Sequence, residues 1–114
     1  MKKNGLKKLK KNRENLSILL ENNTLIGNIY FANIQSKSAE FNIVIGNRVY
    51  WNKGYGYKAT LLSLYFAKVN FNINTFYLYV KKNNKHAISI YKKIGFKIIN
   101  SNKKFIAKMK FSIK

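Results

Sequence analysis

Two glycines in the stretch Trp51-Asn52-Lys53-Gly54-Tyr55-Gly56 carry the clearest chemical signal in this sequence. They follow an apolar run, Phe41-Asn42-Ile43-Val44-Ile45, and precede a helix-like run from Tyr57 to Asn70. Glycine lets the backbone come close to a phosphate, and the loop N–H groups converge with the positive end of the helix dipole. A loop of this kind between a strand and a helix is expected to hold a phosphorylated cofactor. Composition removes several other chemistries. The chain has no cysteine, so disulfides, thiolate catalysis and cysteine metal sites are excluded. His86 is the one histidine and Glu14, Glu21 and Glu40 are the only carboxylates, and no metal site is expected.

Charge bounds the partners. Lys and Arg number 23 against 3 carboxylates in 114 residues, a net charge of +20. Such a field attracts polyanions: nucleic acid, ribosome, anionic lipid or a multiply phosphorylated cofactor. The competing explanation is compositional, because Lys, Asn, Ile, Phe and Tyr all accumulate in a very AT-rich coding sequence. Hydrophobic residues make up 46% and no run approaches the length that spans a bilayer. The basic start Met1-Lys2-Lys3 lacks a signal-peptide core, since Leu16 to Leu20 is short and late. One soluble cytoplasmic domain, with no membrane partner, is the expectation.

The elements that must position the loop are legible in outline. Residues 1–13 form a lysine-rich leader with Leu6 and Leu9 as its apolar anchors, a disordered arm or the remnant of a basic helix, with a solvated tail the favoured reading, ahead of a domain over 14–114. Leu16–Leu20 reads as a strand, Glu21 to Thr24 as a turn, and Leu25–Phe31 as the returning strand. Asn33 to Ser38 reads as polar loop and Ala39–Ile45 as a third strand, which together make an antiparallel meander. Ala59, Leu62, Tyr65, Phe66 and Val69 recur at three- and four-residue steps, the mark of an amphipathic helix core face. Thr75–Val80 is a strand-like run, and a helix between two strands places it parallel to the third strand. A second helix is expected over Lys85–Lys93 with Gly95 as its stop, then a strand starting at Phe96. In the last segment Phe105, Ala107, Met109, Phe111 and Ile113 alternate with Lys104, Lys108, Lys110 and Ser112. This is expected to be a terminal strand whose lysines discourage edge-to-edge association.

With these residues in place, the chain from about Leu16 to Phe96 resembles the GCN5-related N-acetyltransferase superfamily, and within it the ribosomal-protein N-terminal and spermidine acetyltransferase branch. Ala39-Glu40-Phe41, Ile45-Gly46 and the loop Tyr50 to Gly56 resemble the acetyl-CoA pyrophosphate motif. Asn84-Lys85-His86-Ala87 through Tyr91 to Gly95-Phe96 resembles the signature N-x-x-A-x-x-x-Y-x-x-x-G-F. The resemblance implies a mixed α/β sheet: an antiparallel meander, then β-α-β-α and a terminal β-hairpin. The family's first strand and two helices are expected to be missing, replaced by the leader, and the link between the last two strands is short. Trp51 stands where the motif has Gln or Arg.

The resemblance also implies a chemistry, transfer of an acetyl group from acetyl-CoA to a primary amine within a ternary complex. Asn52, Lys53, Gly54, Tyr55, Gly56 and Tyr57 would cradle the pyrophosphate through backbone N–H groups, with Lys53 and Lys58 adding charge. The main chain of Ile43, Val44 and Ile45 would hold the pantetheine arm, and Asn84 would reach the arm unless its side chain serves only as an N-cap. Tyr91 would protonate the leaving thiolate, against the alternative of a core tyrosine. Glu40 would accept the amine proton through water or orient the acceptor, against the alternative of an outward residue paired with lysine. His86 is set aside as an exposed helix-start residue. A polyamine pocket needs several carboxylates and a +20 chain repels a polycation, so a small-molecule or protein amine on a neutral or anionic carrier is favoured. Examples are an amino sugar on a nucleotide and a ribosome-presented α-amine. A homodimer is possible. The alternatives are a shortened CoA-binding relative without activity and a basic nucleic-acid or ribosome-binding module.

Overall fold

The computed structural model describes residues 6–10, 15–51 and 53–114. In order come β1 (Leu6–Lys10), β2 (Asn15–Leu19), β3 (Leu25–Gln35), β4 (Ser38–Ile45), a 3-10 turn (Arg48–Tyr50), α1 (Tyr55–Phe71), β5 (Thr75–Lys81), α2 (Lys85–Ile94), β6 (Lys97–Asn100) and β7 (Ile106–Ser112). The strands make one seven-stranded sheet in the order β1-β2-β3-β4-β5-β7-β6. Every neighbouring pair is antiparallel except β4 with β5. This is the mixed α/β architecture expected from the sequence, with the parallel crossover through α1 where the change of period placed it. No described helix is long and apolar enough to cross a membrane.

The first correction concerns the leader. Leu6–Lys10 is not a tail but the edge strand of the sheet, with Leu6 opposite Ile18, Leu9 opposite Leu16 and Lys10 opposite Asn15. The first strand expected to be missing is therefore present. A lysine-rich strand can occupy an edge because one flank needs no partner and charge there blocks further pairing. The rest of the leader lies outside the described residues. Residues 11–14 are all that separate β1 from β2.

The second correction lengthens the meander. The polar loop expected over Asn33 to Ser38 is mostly strand, because β3 runs to Gln35, which pairs with Ser38 across a two-residue turn. Asn33 (φ 49°) and Ser36 (φ 54°) both adopt the left-handed conformation, one at an irregularity in the ladder and one in the turn. Short polar side chains make that conformation accessible.

The buried face of the sheet carries Leu16, Ile18, Ile29, Phe31, Ala39, Phe41, Phe76, Leu78, Ala107 and Met109, and both described helices pack on it. The third correction is the face α1 uses to do so. It buries Ala59, Thr60, Ser63, Leu64 and Ala67, while Leu62 (46%), Tyr65 (47%) and Val69 (79%) are exposed. Small residues let the helix sit close to the sheet, and the buried Ser63 hydroxyl donates to the Thr60 carbonyl at 2.9 Å. Phe66, from the expected face, is half-buried against the core.

The fourth correction is at the end of the chain. β7 is not an edge: it lies between β5 and β6, pairing with both. Phe105 precedes the strand and is 69% exposed, so it does not continue the inward set. The turn from α2 into β6 depends on Gly95, whose φ is 132° and whose absent Cβ would stand 2.6 Å from the Phe111 ring. Gly95→Ala is expected to destabilise the fold by on the order of 1–3 kcal/mol through left-handed strain and overpacking. Gly46→Ala, where a Cβ meets nothing within 4 Å, should move the urea midpoint little and serves as the control.

Candidate active site

The site is organised by a parting of strands. β4 and β5 pair only over Ser38–Thr75, Ala39–Phe76 and Glu40–Tyr77, although β4 continues to Ile45 and β5 to Lys81. Beyond Glu40 the sheet opens into a wedge. The Lys37 carbonyl accepts from the Thr75 N–H at 3.1 Å, so odd-numbered residues of β4 turn their peptide groups toward β5. Ile43 and Ile45 consequently face the wedge with their main chain. Val44 does not: its peptide groups face β3, opposite Asn28, and its side chain is 58% exposed. Of the three β4 residues expected to offer backbone groups, Ile43 and Ile45 turn peptide groups toward the wedge.

The glycine loop closes the wide end of the wedge. Asn47 caps the 3-10 turn by accepting from the Val49 N–H at 2.9 Å. The Trp51 indole N–H then donates to the Ile45 carbonyl at 2.9 Å, which fastens the loop to the end of β4. The Arg48 guanidinium lies 5.3 Å from the centre of the Trp51 ring. Gly54 has φ 84°, a conformation an L side chain adopts only with strain, and it starts α1 with no side-chain cap. The first turn of α1 carries no acidic residue. Tyr55, Gly56 and Tyr57 thus begin a helix whose leading N–H groups lack intrahelical partners, the arrangement that receives anions. Gly54, Lys53 and Lys58 are exposed beside it. The Tyr55 ring lies tilted against Tyr50 with centroids 6.1 Å apart, and the Lys93 ammonium of α2 lies 5.1 Å over the Tyr57 ring, tying the two helices together. Asn52 lies outside the described residues.

Tyr91 and Glu40 flank the point where the strands part, on opposite faces of the sheet. The Tyr91 ring meets Phe41 edge-on at 6.4 Å and Phe96 at 5.8 Å. Burial raises its phenol above the usual value, which keeps the proton on the oxygen at neutral pH. Glu40 lies on the face away from the helices, and its Oε1 accepts from the Asn33 amide at 2.7 Å. Its described partner is thus an amide, whereas the sequence offered a lysine as the alternative. It lines a shallow hollow of about 170 Å³ with Asn33, Gln35, Tyr77, Tyr79 and Lys108. Asn84 caps α2, its Oδ1 accepting from the Ala87 N–H at 3.2 Å, which leaves the NH2 group to donate outward. His86 is exposed at the start of α2. Sequence reasoning missed the structural use of Trp51 and Asn47. A tryptophan in a polar loop was the available signal, because an indole N–H usually finds an acceptor.

The comparisons with known proteins agree with this geometry. The family model for the GNAT acetyltransferase domain matches residues 2–97. Among solved structures, the dodecameric spermidine N-acetyltransferase of Vibrio cholerae superposes with a TM-score of 0.79 at 21% identity, covering 90% of this chain and 66% of that one. The same enzyme in complex with CoA and spermine gives a TM-score of 0.78 at 22% identity, with coverages of 90% and 66%. The chain therefore spans 66% of the length of these structures, and at this identity the likeness is one of fold. No curated protein sequence matches significantly. A parallel pair that parts beside an uncapped glycine-led helix start, matched by the family model over most of its length, makes this chain a member of the GNAT acetyltransferase domain family.

Proposed function

We propose that this chain is an acetyl-CoA-dependent N-acetyltransferase acting by direct transfer in a ternary complex. The wedge between β4 and β5 carries the reading, because it leaves peptide groups of Ile43 and Ile45 without a strand partner next to an anion-binding helix start. Lys53 to Tyr57 receive the pyrophosphate, with Lys53 and Lys58 adding charge. Ile43 and Ile45 hold the pantetheine arm in the manner of a missing strand, and Asn84 steadies it through its free NH2 group. The thioester then lies near the last paired rung.

The two faces of the sheet divide the proton chemistry. The acceptor amine approaches from the open face, where Glu40, oriented by Asn33, takes its proton through water. A carbon–nitrogen bond forms, and β4 peptide N–H groups offer hydrogen bonds to the developing oxyanion. The carbon–sulfur bond breaks, and Tyr91 on the helix face gives its proton to the thiolate. The open-face hollow offers a single carboxylate, Glu40, and a lysine, Lys108, so it suits a primary amine on a neutral or anionic carrier better than a polyamine. A CoA-binding relative without turnover is the second reading, favoured by the short span between β1 and β2.

Three measurements test these roles. Calorimetry should show saturable acetyl-CoA binding that Gly54→Glu abolishes, since that change adds both strain and a negative charge at the cradle. Unchanged affinity would remove the cradle from the mechanism. Tyr91→Phe should leave that binding intact and lower kcat by roughly 10²–10⁴-fold in a CoA-release assay over a panel of amines. The raised phenol is protonated at neutral and mildly alkaline pH, so the activity it supports is lost only as pH rises past its shifted value. Tyr91→Phe should lack that alkaline limb. Glu40→Gln should lower kcat in the same assay while sparing acetyl-CoA affinity. Binding without CoA release from any amine would establish the second reading.

A further inference from the structure

The face of the sheet away from α1 and α2 holds the hollow proposed above for the acceptor, and its pattern of side chains runs on beyond that hollow to Lys97 and Lys110. Tyr77 and Tyr79 point to it from β5, and Tyr79 is 54% exposed. On the neighbouring strand Lys110 stands opposite Tyr77 and Lys108 opposite Tyr79. The Lys108 ammonium lies 4.7 Å over the Tyr77 ring and 5.6 Å from Tyr79, and Lys110 lies 5.9 Å from Tyr77. On β6, Lys97 is directly opposite Lys110. Like charges facing each other across a ladder are destabilising unless something negative lies between them. Glu40, the carboxylate in this row, is already engaged by Asn33.

We infer that this open face binds single-stranded nucleic acid, with bases on Tyr77 and Tyr79 and phosphates on Lys97, Lys108 and Lys110. A flat sheet with aromatic rings flanked by lysines is what a single strand requires, because every base has a stacking face and the backbone is polyanionic. Residues two apart on one strand are about 6.6 Å apart, roughly twice the 3.4 Å rise of stacked bases. The spacing fits an extended, unstacked strand and not a duplex. The net charge of +20 supplies long-range attraction but not the location. An anionic membrane is disfavoured as occupant because the row of Tyr77, Tyr79, Lys97, Lys108 and Lys110 presents no aliphatic side chain to insert into lipid.

The proposed strand shares the open face with the acceptor hollow, and its binding is measured both without CoA and with CoA in excess, so that failure of this inference and failure of the acetyl-transfer reading are distinguishable. Fluorescence anisotropy with a labelled oligouridylate of roughly twelve nucleotides measures affinity on the full chain. Tyr77→Ala with Tyr79→Ala should weaken binding at least tenfold, and Tyr77→Phe with Tyr79→Phe should restore it. Lys108→Gln with Lys110→Gln should also weaken binding and reduce the slope of log affinity against log salt by about 1.4. Lys68→Gln with Lys92→Gln, on the two helices, should change affinity less than twofold. Equal losses from the helix lysines and the sheet lysines, or no loss from the tyrosine pair, would overturn the proposal in favour of diffuse attraction by a basic protein. So would a duplex of equal length bound more tightly than the single strand. On the unaltered protein, 4-thiouridine crosslinks are expected on the β5 segment containing Tyr77 and Tyr79. Crosslinks confined to other segments would overturn the proposal even if the alanine variants fail to fold.

Discussion

The structure turns on the early parting of two parallel strands. After Glu40 and Tyr77, β4 and β5 stop exchanging hydrogen bonds while both continue as strands. Backbone N–H and C=O groups left without partners away from water are costly, so such a seam persists only where solvent or a ligand can reach it. The surrounding features follow from keeping the seam open and shaped. Trp51 fixes the loop to Ile45 at one end, Phe41 and Tyr91 pack at the other, and α1 packs into the core on the buried face. The Gly54 turn and the Tyr91 ring both border this opening.

What was legible in the sequence was local. Gly54 and Gly95 announced backbone conformations that other residues resist, and both have positive φ. Asn84 announced a helix start because its side chain can replace a missing carbonyl, as it does for the Ala87 N–H. The change from strand to helix period after the loop located the crossover. These signals depend on one or a few neighbouring residues, and the fold reads them directly.

What was not legible depended on partners far along the chain. α1 is apolar around much of its circumference, so spacing alone fits more than one buried face. Close approach to Phe31, Phe76 and their neighbours selected the small residues Ala59, Ser63 and Ala67. The lysine-rich strand β1 has no strong pattern of its own and is defined by its pairing with β2. The place of β7 between β5 and β6 is a matter of sheet order, which alternation in a single strand does not encode. Val44 shows the finest version of this: it belongs to the expected strand, yet its peptide groups face β3 and away from the wedge.

The narrow parallel junction has a further consequence, for how the molecule holds together. β1 to β4 form one antiparallel block whose β2–β4 hairpins close over short sequence distances, and β5, β7 and β6 form another. Three rungs and the packing of α1 and α2 join the blocks, and Ser38 must find Thr75 across the whole length of α1. That is the entropically expensive contact in the topology, so the junction is the natural place for the molecule to come apart first. A molecule bridging β4 and β5 would act as a clasp between the two blocks. Occupancy of the wedge and mechanical integrity of the sheet are thus coupled by one geometric fact.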